Sequence, residues 1–68
     1  MKFVTLFSDN GLTIHDYIVN ANRIICIMPD NNNGLLKHGS AITVDGMDIK
    51  LYSSHSPSYI VSMLEEDG

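Results

Sequence analysis

Phe7-Ser8-Asp9-Asn10-Gly11-Leu12 and Asp30-Asn31-Asn32-Asn33-Gly34-Leu35 decide the reading of this chain. Each sets an Asn-Gly cluster between apolar runs. Asn and Gly tolerate the positive φ that tight hairpin turns require, so both clusters mark reversals between antiparallel strands. Asp45-Gly46 is a third such signal. The pattern predicts an α+β fold. Its body is a mainly antiparallel β-meander or small open barrel of four to five strands, with one short C-terminal helix.

Outward from these turns, strands are expected over residues 2–7, 12–18, 24–28, 35–44 and 47–52, and a helix over 57–66. The first strand mixes β-branched and aromatic residues. Phe3, Thr5 and Phe7 share one face and Val4 and Leu6 the other, so it should be central or covered on both sides. In the second, Leu12, Ile14 and Ile18 point inward, with Thr13 and His15 outward. Asp16 then falls on the apolar parity, which a bulge or strand end would resolve. Asn20 is placed to cap a single helical turn. Ile24-Ile25-Cys26-Ile27-Met28 is a continuous apolar run and reads as a buried strand, with Cys26 an inert small hydrophobe within it.

Lys37-His38-Gly39-Ser40 interrupts the fourth strand. Gly39 signals a bulge, a close backbone approach, or a long loop across 30–40. The next stretch alternates cleanly: Met47, Ile49 and Leu51 face the core, and Asp48, Lys50 and Tyr52 face water. Ser56 is a good N-cap before Pro57, and Ile60, Met63 and Leu64 form an apolar stripe that Tyr59 or Val61 widens. Glu65-Glu66-Asp67 opposes the helix macrodipole, so the last turn should fray.

With 68 residues, one domain over 1–68 is expected. Such a domain buries roughly 60% of the surface its unfolded chain exposes. Its core leaves about 3–5 kcal/mol of net stability. Cys26 is the single cysteine, which excludes an internal disulfide, and no Cys/His cluster suggests structural zinc. Self-association, as a homo-oligomer, or docking on another protein remains as support. The net charge is −4, and the four basic residues Lys2, Arg23, Lys37 and Lys50 are scattered. That argues against direct nucleic-acid binding and against a membrane surface. No apolar run approaches the ~20 residues of a membrane span. The apolar start is too short for a signal peptide, and the lone thiol suits a reducing compartment, so a cytoplasmic location is expected.

The chemistry-bearing motifs fail on their spacing. An EF-hand starting at Asp30 would put Gly34 at position 5, Leu35 where glycine is required and Ala41 at position 12, so the hairpin turn is the better reading. His15, His38 and His55 lack metal spacing and read as exposed polar residues. His15-Asp16 and Ser54-His55-Ser56 hold triad residue types as sequence neighbours, which seldom face each other productively. No nucleophile elbow, phosphate-cradling loop or paired-carboxylate pattern occurs. The chain is therefore not expected to be an enzyme, and no catalytic residue, metal or cofactor is assigned. Surface recognition remains, with Tyr17, Asn31, Asn32, Lys37, His38, Asp48 and Tyr52 as candidate protein-binding residues. Tyrosine favours interfaces, and polar loops on rigid scaffolds often carry binding.

Val19-Asn20-Ala21-Asn22-Arg23-Ile24-Ile25 and Ser56-Pro57-Ser58-Tyr59-Ile60 resemble two segments of a family of short proteins typified by the flagellar protein FlbD. That family shows a strand, turn and strand, then a Val-Asn-X-X-X-Ile segment and a hairpin, and a last strand running into a short helix. Lys37 to Ser40 stand here as an insertion into the hairpin. The resemblance implies a shared fold and a bacterial or phage origin, and brings no catalytic residues. The expected function is a small non-catalytic protein-binding module, an adaptor or regulator. The alternative is an acidic mobile-element inhibitor that occludes a nucleic-acid-binding site on a host or defence protein.

Overall fold

The computed structural model describes residues 2–66. Five antiparallel strands form one open sheet: β1 (Phe3–Asp9), β2 (Ile14–Asn20), β3 (Ile24–Pro29), β4 (Ser40–Val44) and β5 (Leu51–Ser53). Their order is β2-β1-β5-β4-β3, and one short helix, α1 (Pro57–Glu65), follows. The β1–β2 hairpin thus stands beside the β3–β4–β5 meander, joined where Phe7 pairs with Tyr52. This is the expected α+β fold in its open form, with β2 and β3 as the two edges.

The turn residues act as their chemistry dictates. Gly11 and Gly46 both have φ of +86°, which a side chain would strain. Asp9 Oδ1 accepts the Gly11 N–H at 2.9 Å, and Asn10 Oδ1 accepts those of Leu12 and Thr13 at 2.8 and 2.9 Å. Asn20 caps the 3-10 turn Ala21–Arg23, accepting the Asn22 N–H at 3.0 Å. Ser56 caps α1 through the Tyr59 N–H, with Pro57 in the first turn. The opposite end of α1 receives a cation from far along the chain, because Lys2 Nζ donates to the Met63 carbonyl at 2.6 Å. Asp67 lies outside the described residues.

One face of the sheet packs under α1. Val4, Leu6, Val19, Ile42, Val44 and Leu51 form a buried cluster with Ile60 of the helix, and Met63 and Leu64 pack against it. Five sequence expectations are corrected here. Val4 pairs with Val19 and Leu6 with Tyr17, so Tyr17 and Val19 are the inward residues of β2 and Ile18 is 76% exposed. Asp16 needs no bulge, since its parity is the outward one. The Ile24–Met28 run is an edge strand rather than a buried one, with Ile25, Cys26 and Met28 exposed. A continuous apolar run does not distinguish an edge from a centre.

The other two corrections concern length. Residues 35–39 belong to a loop, and the fourth strand begins only at Ser40. Of the 47–52 alternation only Leu51–Ser53 pairs, so Ile49 is left exposed while Leu51 is fully buried.

Candidate functional site

The loop between β3 and β4, residues 30–39, folds back against the sheet face opposite α1, where it meets Phe7 and Tyr52. His38 anchors it. Its Nε2 lies 2.9 Å from Asp9 Oδ2 at the end of β1, and its Nδ1 lies 3.2 Å from Asp30 Oδ2 just after β3. The side chains of Asp9, His38 and Asp30 are only 1%, 6% and 11% exposed. The imidazole stacks on Tyr52 at 4.1 Å between centroids, with Phe7 tilted against it at 5.7 Å. Two carboxylates thus grip one ring whose faces are held by aromatics. Only the imidazolium, with hydrogen on both nitrogens, donates to both at once.

Backbone amides complete the carboxylate shells. Asp9 Oδ2 also accepts the Leu36 N–H at 3.2 Å, and Asp30 Oδ1 accepts the Asn32 N–H at 3.0 Å. The His38 bond, opposed by burial and helped by the Gly11 and Leu36 amides, pulls the Asp9 pKa from 3.8 to about 2. Asp30 is lowered too, first by the Asn32 amide, against burial, and then by His38. Gly34 lies flat on this cluster: a Cβ there would sit 2.3 Å from Asp9 Oδ2. Gly39 passes equally close to the His55 and Ser54 carbonyls, at 2.6 Å from an added Cβ. The glycines let the backbone reach what the histidine holds.

Of the residues singled out by sequence, Tyr52 and His38 stack directly, so His38 is buried rather than exposed and Tyr52 is half-buried rather than fully wet. Tyr52 lines two shallow depressions, one of about 400 Å³ with Asp9, His15, Tyr17 and Lys50, and one of about 200 Å³ with Asp30, Asn32 and Lys50. Asn32 is therefore brought to the margin of the Tyr52 surface, whereas Tyr17, an inward residue of β2, packs against the core under α1 and borders only the larger depression. Asn31, Lys37 and Asp48 are exposed and line neither depression. The residues that sequence reasoning missed are Asp9 and Asp30, read there as turn residues, together with Leu35 and Leu36. Those two leucines sit in the clamped loop 51% and 46% exposed.

Both ring nitrogens of His38 face carboxylates, so the cluster works as a clamp on the loop. Among the described residues, no group of three or more His, Cys, Asp or Glu side chains is placed to hold a metal ion. No helix among them is long and apolar enough to cross a membrane. Comparison with protein-family models, curated proteins and solved structures finds no match for this chain.

Proposed function

We propose that this chain is a small non-catalytic protein-binding module, an adaptor or regulator acting in a bacterial cytoplasm, of bacterial or phage origin. The observation that carries the reading is the clamped loop. Three ionisable side chains and two close-packed glycines fix the shape of a segment whose outward side presents Leu35, Leu36, Asn31, Asn32 and Lys37. A surface loop held in one conformation loses little entropy on binding, and exposed leucines between polar residues make an apolar anchor with a polar rim. Tyr52, stacked on His38, extends the surface beside it.

The acidic-inhibitor alternative has less to draw on. Asp9 and Asp30, two of the eight acids, are turned into the clamp and away from any partner. The test is capture by tagged protein from bacterial lysate at low and high salt, with the double variant Leu35→Asp/Leu36→Asp as control. A stoichiometric protein kept at high salt and lost by the variant supports the module. A nucleic-acid-binding protein held only at low salt, and held equally by the variant, overturns it in favour of the inhibitor, since screening removes surface charge attraction.

A further inference from the structure

β1 lies inside the sheet, yet it pairs with β5 at one position, Phe7 with Tyr52. On its other side all of Phe3–Asp9 pairs with β2. The Lys2 carbonyl accepts the Ala21 N–H at 2.9 Å, so Lys2, Val4 and Leu6 turn their backbone groups toward β2. Alternation aims those of Phe3 and Thr5 the other way, past the end of β5 at Ser53. The residues that could have continued the ladder are tied elsewhere. The Ser53 carbonyl takes the Gly39 N–H, the His55 carbonyl takes the Ser40 hydroxyl, and the His55 N–H goes to Ser53 Oγ. Among the described residues, no backbone group pairs with Phe3 or Thr5 on this side.

A cleft of about 270 Å³ occupies the gap. Val4, Leu6, Ile60 and Met63 give it an apolar lining, with Lys2 on the β1 side and His55 on the β5 side. The Met63 carbonyl holds Lys2 Nζ at 2.6 Å without neutralising it, and no carboxylate of the described residues lies within ion-pair distance of that ammonium. The His55 ring is stacked on Tyr59 at 4.2 Å between centroids. The two depressions beside Tyr52 set Lys50 with Asp9 or Asp30, whereas no carboxylate lines this cleft.

We propose that the cleft takes the C-terminal end of another chain, as an apolar last residue with its free carboxylate. Charge decides the carboxylate, because a net acidic chain here presents a lysine and a histidine without an acid. The backbone decides the peptide. A plain alkyl acid would fill the apolar lining and meet Lys2, but it has no donor for the Thr5 carbonyl. A tail running antiparallel to β1 exchanges both bonds between its penultimate residue and Thr5. Its last residue then stands opposite Val4, with the side chain on the Ile60 face and the carboxylate by Lys2 and the Phe3 N–H. The Leu35–Leu36 loop lies against the opposite face of the sheet, so this site stands or falls separately from that one.

NMR titration of the isotope-labelled chain tests this, with acetylated tripeptides ending in Val, Leu, Ile, Met or Phe, each as free acid and as carboxamide. At least one acid is expected to saturate at millimolar concentration or below and to move the amide signals of Phe3, Thr5 and Ile60. Its carboxamide should bind at least about tenfold more weakly. Lys2→Gln should weaken the acid to a similar degree with unchanged circular dichroism, and Lys2→Arg should restore it. Leu35→Asp/Leu36→Asp should bind as wild type does. No saturation by any acid, a carboxamide as tight as its acid, shifts that miss Phe3 and Thr5, an unchanged affinity in Lys2→Gln, or octanoate binding as tightly as the best peptide would overturn the proposal.

Discussion

Leu51 and Tyr52 are neighbours in β5, yet they serve faces of the sheet that are closed in unlike ways. Leu51 is fully buried under α1 among Val4, Leu6, Ile42 and Ile60, where every contact is apolar and non-directional. Tyr52 lies on the other face, under a loop whose histidine is held in partial burial by one carboxylate of the loop and one of β1. The first face stabilises by removing apolar surface from water, and many side chains share the effect. The second depends on a few directional bonds, each of which needs its partner. An apolar layer therefore defines the fold, and a polar clamp defines the shape of one loop.

The comparison breaks most visibly at Leu51. Leu51→Ala removes a fully buried side chain and leaves a cavity, which costs about 2–5 kcal/mol. That is comparable to the whole net stability of a domain this size, about 3–5 kcal/mol. The variant is expected to be largely unfolded at 25 °C by circular dichroism, with the α1 signal and the β signal lost together. Retention of a cooperative transition near that of wild type would mean the helix face is not the seat of stability.

Legibility in the sequence divides along the same line. The apolar layer rests on local patterns: Ser56-Pro57 announced α1, Asn10-Gly11 and Asp45-Gly46 announced turns, and Ile60, Met63 and Leu64 gave the stripe. Propensity and periodicity act over a few residues, so a single chain exposes them. β2 was read with the wrong face inward because Ile14 and Ile18 outweigh Tyr17 and Val19 in hydrophobicity. Only the pairing of Val19 with Val4 decides the matter. The clamp was not legible, since its histidine reaches partners 8 and 29 residues away and nothing local distinguishes His38 from His15 or His55. Asp9 and Asp30 each also serve a turn, through Gly11 and Asn32, and that local role masked the distant one.

A middle-sized effect is expected at Gly34. Gly34→Ala places a methyl group 2.3 Å from Asp9 Oδ2, a carboxylate held by His38 and two amides, so the loop must leave or the carboxylate must turn. Both exits open the clamp while the apolar layer stays intact. Amide exchange should accelerate by an order of magnitude or more over residues 30–39 and change little in β1, β4 and α1, as local opening requires. His38→Gln should reproduce the pattern, since both N–H donors of its amide sit on one nitrogen and do not span the carboxylates that the two ring nitrogens reach, and the stack on Tyr52 is lost. Equal acceleration across the sheet in either variant would make the clamp part of the global core, and the distinction between the faces would fail.

The smallest and most reversible effect is that of acid. Asp9 has its pKa lowered from 3.8 to about 2 in the folded chain, so its contribution is complete above pH 4 and is lost as pH falls toward 2. Asp30, lowered in the same direction, adds to the loss. The buried cluster on the helix face contains no carboxylate. Lowering pH from 5 to 2 should therefore release Tyr52 and the 30–39 loop first, seen as changed Tyr52 and His38 ring signals in NMR spectra. The signals of Leu51 and Ile60 should hold to lower pH. Asp9→Asn removes the main titrating group, so its loop signals should depend on acid much less between pH 4 and 2. If the loop and the apolar layer were instead to melt together at one pH in both proteins, the two faces would form a single cooperative unit, and the clamp would be a brace of the fold rather than a holder of the loop.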